Sequence, residues 1–452
     1  MTFLIFVLAM PDLSAKWLAI FLSLMVLGQA YVVRKIVGTW LFPACIFGLL
    51  WFAYTFIPLV ALYNVPINPF AIGYLLICSL SVSACGLVFD WKAALERNTL
   101  KRMSRNRAYN NAFLRKTFYA IFVLSIIFAA LNLIVGGFRI KEVMGDIIGS
   151  SSEYARMRGA EEIRSNIFGQ LSLGLTYIGA TLGGLMLPDA RPGWPRRSIV
   201  LVSFLPSIVI MLTQSAKGGL YLSLGFFYGA LLVNRIQSAQ MSIFSKKAIR
   251  PLVVFGSSIM VLMAISFMAR GLYGSSDVYE IGWSLASMFA SYIFGSLYAF
   301  SDWFSFWTGS PSALAYIDPG NTYGFYTFAA AFKFFGSTRI LPSGVFEEPF
   351  AHGDFLVTNI YTMFRSLITD FGLLGCIAYC GITSFGLHLS FYAMLSRAKP
   401  VVTASIFILM VGYFWHSYVG SLFAYNIAYP YFAFLWLILF ANNYRNLRAM
   451  VE

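Results

Sequence analysis

Four stretches of this 452-residue chain hold residues whose types and spacing could do chemistry. The sharpest is 358–370, TNIYTMFRSLITD. Wound as a helix, it gathers Thr358, Asn359, Thr362, Arg365, Ser366, Thr369 and Asp370 into an arc of about 140°. A polar face that carries both Arg365 and Asp370 must turn to a water-filled cavity or to polar neighbours. The plain alternative, a buried ion-pair network that fixes helix packing, would still line something polar. Asn359, Tyr361 and Asp370 are therefore candidates to line a cavity. Just upstream, GVFEEPFAHGDF sets Glu347, Glu348, His352 and Asp354 in one loop. These are acid–base groups. With an ordinary pKa near 6.5, His352 suits proton acceptance, and adjacent carboxylates would orient its ring and stabilise its cation. Glu348 is the second candidate base, since desolvation raises a carboxyl pKa. Asp354 completes the candidate catalytic set. A solvated acidic loop in which the histidine merely packs is the bland alternative.

The remaining stretches are basic. Lys217 lies in TQSAKGG and Arg270 in MARG, each at the edge of an apolar run. A cation at membrane depth costs roughly 2.5–3.5 kcal/mol on insertion scales, so each is a functional candidate by default. Both also fit an anchor at the water boundary. Two such residues on one side point to a shared anion site, with Arg156 or Arg158 contributing from the earlier segment 138–166.

The elements that must position these groups follow from composition. Hydrophobic side chains make up 59% of the chain and charged ones only 11%, with a mean hydropathy of +0.74. At about 20 apolar residues per crossing, such a chain is an all-α polytopic membrane protein, forming a single integral membrane domain over 1–452. A soluble enzyme, a nucleic-acid-binding domain and a disulfide scaffold are excluded. About 11 spans (10–12) are expected, near 14–33, 37–63, 70–89, 117–137, 167–187, 198–213, 219–234, 251–269, 368–390, 401–421 and 427–443. Thr2 to Met10 reads as part of the first span or an outer interfacial piece.

Charge orients the spans. Twenty-one of the 32 Lys and Arg fall in the segments of one side, among them the basic loop 90–116, against four acids. The rest of the chain holds 11 basic and 14 acidic residues. An imbalance of this kind is the positive-inside rule, and it places 138–166 and the large loop 270–367 outside. Within that loop, 281–300 is apolar enough to cross. An odd extra crossing would put one of the basic segments 235–250 and 397–399 outside, so 281–300 is expected as a re-entrant or interfacial helix.

Cys45, Cys78, Cys85, Cys376 and Cys380 all fall inside predicted spans, so no disulfide is implied. Cys376 and Cys380 share a helical face with Gly372, which fits close helix packing. No phosphate-cradling glycine loop, metal motif or internal repeat is present; no cofactor or metal is expected. Any chemistry must run on an energised substrate or a gradient.

The run TNIYTMFRSLITDFGLLG (358–375) resembles a stretch of the oligosaccharide repeat-unit polymerases, the O-antigen polymerase family. TQSAKGG, YIFGSLYAFSD (292–302) and GFYTFAA (324–330) resemble that family in the same order. Arg158 and Gly169 match an Arg-to-Gly spacing seen in some members, without a second copy. The resemblance covers the layout of the chain, and it implies a glycosyltransferase architecture of the GT-C kind in the bacterial inner membrane, active on the periplasmic face. The substrates it implies are undecaprenyl-pyrophosphate-linked oligosaccharides, with a chain-length regulator and a flippase as partners and no nucleic acid. Lys217, Arg270, Arg365, Arg156 and Arg158 would then bind the pyrophosphate, and Asn359, Tyr361 and Asp370 would line the glycan path. Two rivals stand beside this reading. An O-antigen ligase passes the glycan to lipid A core, and a flippase or transporter would be expected to show repeated halves.

Overall fold

The computed structural model describes residues 13–100, 109, 111–160, 162–163, 165–191, 193–243, 249–271, 278–312, 314–317, 320–339, 341, 345–396 and 401–451. Thr2 to Met10 lies outside them. In chain order the helices are α1 (Leu13–Val37), α2 (Pro43–Ala61), α3 (Pro69–Ala84), α4 (Trp91–Leu100), α5 (Ala112–Val135), α6 (Ile140–Gly145), α7 (Ile147–Gly159), α8 (Ile167–Met186), α9 (Trp194–Gln214) and α10 (Lys217–Gln237). They continue as α11 (Ile249–Gly271), α12 (Val278–Trp307) and α13 (Ala329–Phe334). A small hairpin of β1 (Phe350–His352) and β2 (Leu356–Thr358) then precedes α14 (Met363–Ser396), α15 (Val402–His416) and α16 (Ala428–Val451).

Local sequence explains where several helices start. Proline occupies the first turn of α2, α3 and α9, where its missing N–H is not needed. Side chains cap others: Asn111 accepts from Leu114 N and Asn166 from Gly169 N, each satisfying one orphan donor.

The protein is helical and multi-pass. Among the described residues seven helices are long and apolar enough to cross a bilayer: Ser14–Val37, Pro43–Ala61, Ala112–Val135, Ile167–Asp189, Trp194–Gln214, Lys217–Gln237 and Met363–Ser396. Pro69–Ala84, Gly256–Met268 and Val402–His416 are apolar but shorter. The segment 281–300, expected to be re-entrant or interfacial, sits inside α12, a continuous helix of 30 residues. At 1.5 Å per residue this helix is about 45 Å long.

Two compact units form. The first comprises Met1–Lys92, Ala286–Tyr392 and Tyr413–Asn426; the second comprises Ala93–Leu285, Ala393–Gly412 and Ile427–Glu452. In the first, the ammonium of Lys16 is fully buried, donating to the carbonyls of Leu62 (3.1 Å) and Val65 (2.7 Å) and to Tyr298 Oη (3.1 Å). It thereby serves backbone acceptors left over beyond the end of α2, where a cation is favoured. His388 stacks on Phe42 and its Nε2 meets the carbonyl of Val82, a packing role. In the second unit α8 is the most enclosed of the seven candidate spans, with about three-quarters of its apolar window buried. Polar pairs tie its neighbours together. Asn132 donates to Gln214, Asn166 donates to Asn132, and Thr181 meets Tyr431.

Candidate functional site

The hairpin and the start of α14 build the site of the first unit. The helix predicted over 358–370 begins only at Met363. Upstream, Leu356–Thr358 is strand, in register so that Phe350 faces Thr358 and His352 faces Leu356. Thr358 cannot pair and pack like this while helical. Its side chain meets α12 at Gly295, where an added Cβ would lie 2.8 Å from Thr358 Cγ2. The anticipated division into a polar and an apolar face also fails. Phe364, Leu367 and Ile368 are as buried as Arg365, Ser366, Thr369 and Asp370, so this turn is enclosed on all sides.

Arg365 is the centre. Its side chain is 2% exposed, and Nη2 donates to Glu348 Oε2 at 2.8 Å. Four rings wall the guanidinium, with centroids 3.8 Å (Phe346), 4.1 Å (Tyr361), 5.2 Å (Tyr316) and 5.5 Å (Trp303) from Cζ. Aromatic faces attract a cation by about 0.5–2 kcal/mol each, which offsets part of its lost hydration. Yet Nε and Nη1 are buried and make no hydrogen bond to any described residue. Two strong donor directions are thus held ready.

Glu348 is fixed from several sides. Its Oε1 accepts from the backbone N–H of Ile317 at 3.3 Å, and its own carbonyl accepts from Tyr361 Oη at 2.8 Å. Burial pushes the carboxyl up, but the charge of Arg365 and the hydrogen bonds outweigh it, leaving the pKa below its ordinary 4.5. The carboxyl is therefore ionised at neutral pH, and the upward shift expected from desolvation is overridden by its partners. His352 ends β1, half-buried; burial, then the charge of Lys16, lower its pKa below 6.5. Its ring is neutral at pH 7 and can accept a proton. Glu347 and Asp354 are exposed, and Ser287 Oγ donates to the carbonyl of Phe355 to hold the hairpin turn on α12.

Of the residues expected to line a cavity, Asn359 is exposed whereas Tyr361 and Asp370 are buried. Burial raises the Tyr361 phenol, so its hydroxyl keeps the proton it donates to Glu348. Asp370 is a clamp. Its carboxylate accepts from the N–H groups of Tyr326 (3.0 Å) and Thr327 (2.6 Å) and from the hydroxyl of Thr322. Gly372, expected on a regular helical face with Cys376 and Cys380, instead breaks α14 at φ 69°, ψ 179°. The break exposes the carbonyls of Thr369 and Asp370, which Thr322 N and Tyr323 N take up. So the segment around GFYTFAA is docked on the first turns of α14 by backbone and carboxylate together.

The other predicted cations belong to the second unit. Lys217 opens α10, with its side chain buried and Nζ 4.3 Å from the centroid of Phe267. Arg156 and Arg158 are exposed on α7, and Arg156 pairs with Glu153 (2.7 Å) and Glu162 (3.4 Å). Arg270 lies in the last turn of α11, its side chain outside the described residues. Gly169, eleven residues after Arg158, abuts Asn132, where an added Cβ would lie 2.8 Å from its Oδ1.

Sequence reasoning missed Lys16 and the aromatic walls around Arg365. The walls come from positions 303, 316, 346 and 361, which no periodicity links. It placed Cys376 and Cys380 on one helical face but did not join Cys78 to them; the three sulfurs lie within 4.8 Å of one another. Compared with known proteins, the chain matches no family model, no curated protein and no solved structure.

Proposed function

We propose that this protein polymerises undecaprenyl-pyrophosphate-linked oligosaccharide repeat units on the periplasmic face of the bacterial inner membrane. The growing glycan is transferred from its lipid pyrophosphate to the terminal sugar of an incoming lipid-linked unit. The acceptor hydroxyl attacks the anomeric carbon, the bond from that carbon to the diphosphate oxygen breaks, and the proton passes to a base. A single displacement of this kind inverts the anomeric centre.

One observation carries the reading: Arg365 is a buried cation beside the ionised carboxylate of Glu348, with two N–H donors that make no hydrogen bond to a described residue. A departing diphosphate develops charge that such preorganised donors stabilise best when water is excluded. His352 is the favoured base because its neutral ring accepts a proton at pH 7, while Glu348 is committed to Arg365. Asp354 and Glu347, at the hairpin, are the remaining acid–base candidates. The sequence likeness over 358–375 and the charge asymmetry support the placement outside the cytoplasm.

The test is the lipopolysaccharide ladder of a deletion strain complemented with variants. Loss of the protein should leave single-repeat caps; uncapped core would make it a ligase. His352→Ala should reduce the rate by roughly 10²–10⁴-fold. A full ladder from His352→Ala with none from Glu348→Gln would move the base to the carboxylate.

A further inference from the structure

The first unit holds a cluster of thiols that the proposed chemistry leaves unused. Cys376 and Cys380 stand one turn apart on α14, and Cys78 joins them from α3, with the three sulfurs within 4.8 Å of one another. Cys78 and Cys376 are fully buried and Cys380 is 3% exposed. Contacts on either side of Cys78 hold the two helices in this register. Tyr74 Oη donates to the carbonyl of Leu373 at 2.8 Å, and Ser81 Oγ donates to that of Ile377 at 3.0 Å. Gly381 lets the helices approach closely, since an added Cβ would lie 3.0 Å from Ser81 Oγ and 3.3 Å from Cys85 Sγ. Other groups thus fix the backbone that carries the thiols, which is the support a metal site needs.

Packing alone asks only for small apolar side chains here; it does not require three sulfurs to converge on one point. With thiolate–metal bonds of about 2.3 Å, three sulfurs in a triangle around one ion lie about 4 Å apart. The observed spacing reaches that triangle by side-chain adjustment, without moving a helix. An all-sulfur set selects a soft ion such as Cu(I) or zinc. Zinc takes four ligands, and among the described residues no histidine or carboxylate joins the three sulfurs. Cu(I) is satisfied by two or three. Charge also fits. Gly372 divides α14 into two helices, and Cys376 lies one turn into the second, where the helix start favours the negative charge that a thiolate brings.

We propose that Cys78, Cys376 and Cys380 bind one Cu(I) ion, which ties α3 to α14 just beyond its break. Two thiols release their protons to water as the ion enters, and the third sulfur completes the triangle as a neutral donor. Copper stays in its +1 state, so no electron is exchanged. The site carries one net negative charge, and it does not depend on the polymerase reading.

The test uses full-length protein from copper-supplemented cells, purified in detergent without oxygen. Metal content is read by elemental mass spectrometry and coordination by X-ray absorption at the copper edge. Wild-type protein should hold one copper per chain in a sulfur-only shell. Even outer partners of a metal site are worth about 10–100-fold in affinity, so Cys78→Ser and Cys380→Ser should each lower copper affinity at least about tenfold. Cys45→Ser, outside the cluster, should keep the full load. A readout that needs no variant is the thermal midpoint of wild-type protein, which should be higher from copper-supplemented than from copper-depleted cells. Copper-free wild-type protein from supplemented cells, zinc in place of copper, or nitrogen or oxygen ligands in the shell would each overturn the site. So would a disulfide between Cys78 and either partner, or copper affinity unchanged in Cys78→Ser.

Discussion

Replacing Glu348 by Gln should destabilise the first unit in a way that depends on Arg365. The substitution leaves the guanidinium, 2% exposed, without its countercharge while the aromatic walls stay in place. Removing one partner of a buried pair costs about 3–5 kcal/mol; the low end, about 3 kcal/mol, applies because the Glu348 side chain retains 20% exposure. Exchanging both partners for apolar residues removes the uncompensated charge, so Glu348→Leu with Arg365→Met should be less damaging than the sum of the single changes. The assay is a double-mutant cycle on thermal midpoints of detergent-purified protein. It should be run against pH, because the sign is fixed. The folded pKa of Glu348 lies below its ordinary value, so its contribution is complete above about 4.5, the unfolded value. That contribution fades as pH falls through the lower folded value. The acid limb of wild-type stability should therefore be steeper than that of Glu348→Gln. Additive single changes, or identical acid limbs, would refute the argument that the pair is a coupled buried unit.

Further outcomes follow from the same geometry. Asp370→Asn should cost about 1–3 kcal/mol, because a carboxamide cannot replace both acceptor oxygens for Tyr326 N, Thr327 N and Thr322 Oγ1; lowered thermal midpoints with wild-type expression would show it. Gly372→Ala should destabilise by about 1–2 kcal/mol through its left-handed backbone, and an unchanged midpoint would mean that α14 can straighten without cost. Lys16→Ala should lower the midpoint by leaving the carbonyl of Val65 without its Lys16 donor, while the carbonyl of Leu62 keeps Tyr298 Oη, and Lys16→Arg should recover part of the loss. Single cysteines at Gly309 and at Ser343, the latter outside the described residues, should both react with an impermeant thiol reagent in whole cells lacking native cysteines. Labelling of both sites only after permeabilisation would make α12 a crossing helix.

The sequence by itself determined the class of the molecule. Apolar excess, sparse charge and the one-sided distribution of Lys and Arg are additive along the chain, so they survive without knowledge of contacts. Residue types also marked Arg365, Glu348, His352 and Asp370 as worth attention, since ionised groups beside apolar runs are costly wherever they fold. Tertiary structure decided what each does. Periodicity assigned 358–362 to a helix because its residue types allow one, but pairing with β1 and packing on Gly295 hold Thr358 in a strand. It also gave Arg365 and Asp370 one shared polar face; the break at Gly372 and the docking of Tyr326 and Thr327 instead make Asp370 a clamp, while Arg365 meets Glu348 and four rings drawn from separate segments. Lys16 was legible only as an interruption of an apolar run, because its acceptors lie 46 and 49 residues away. Such contacts depend on long-range placement, which local patterns do not encode, whereas hydropathy and charge act residue by residue and can be read in order.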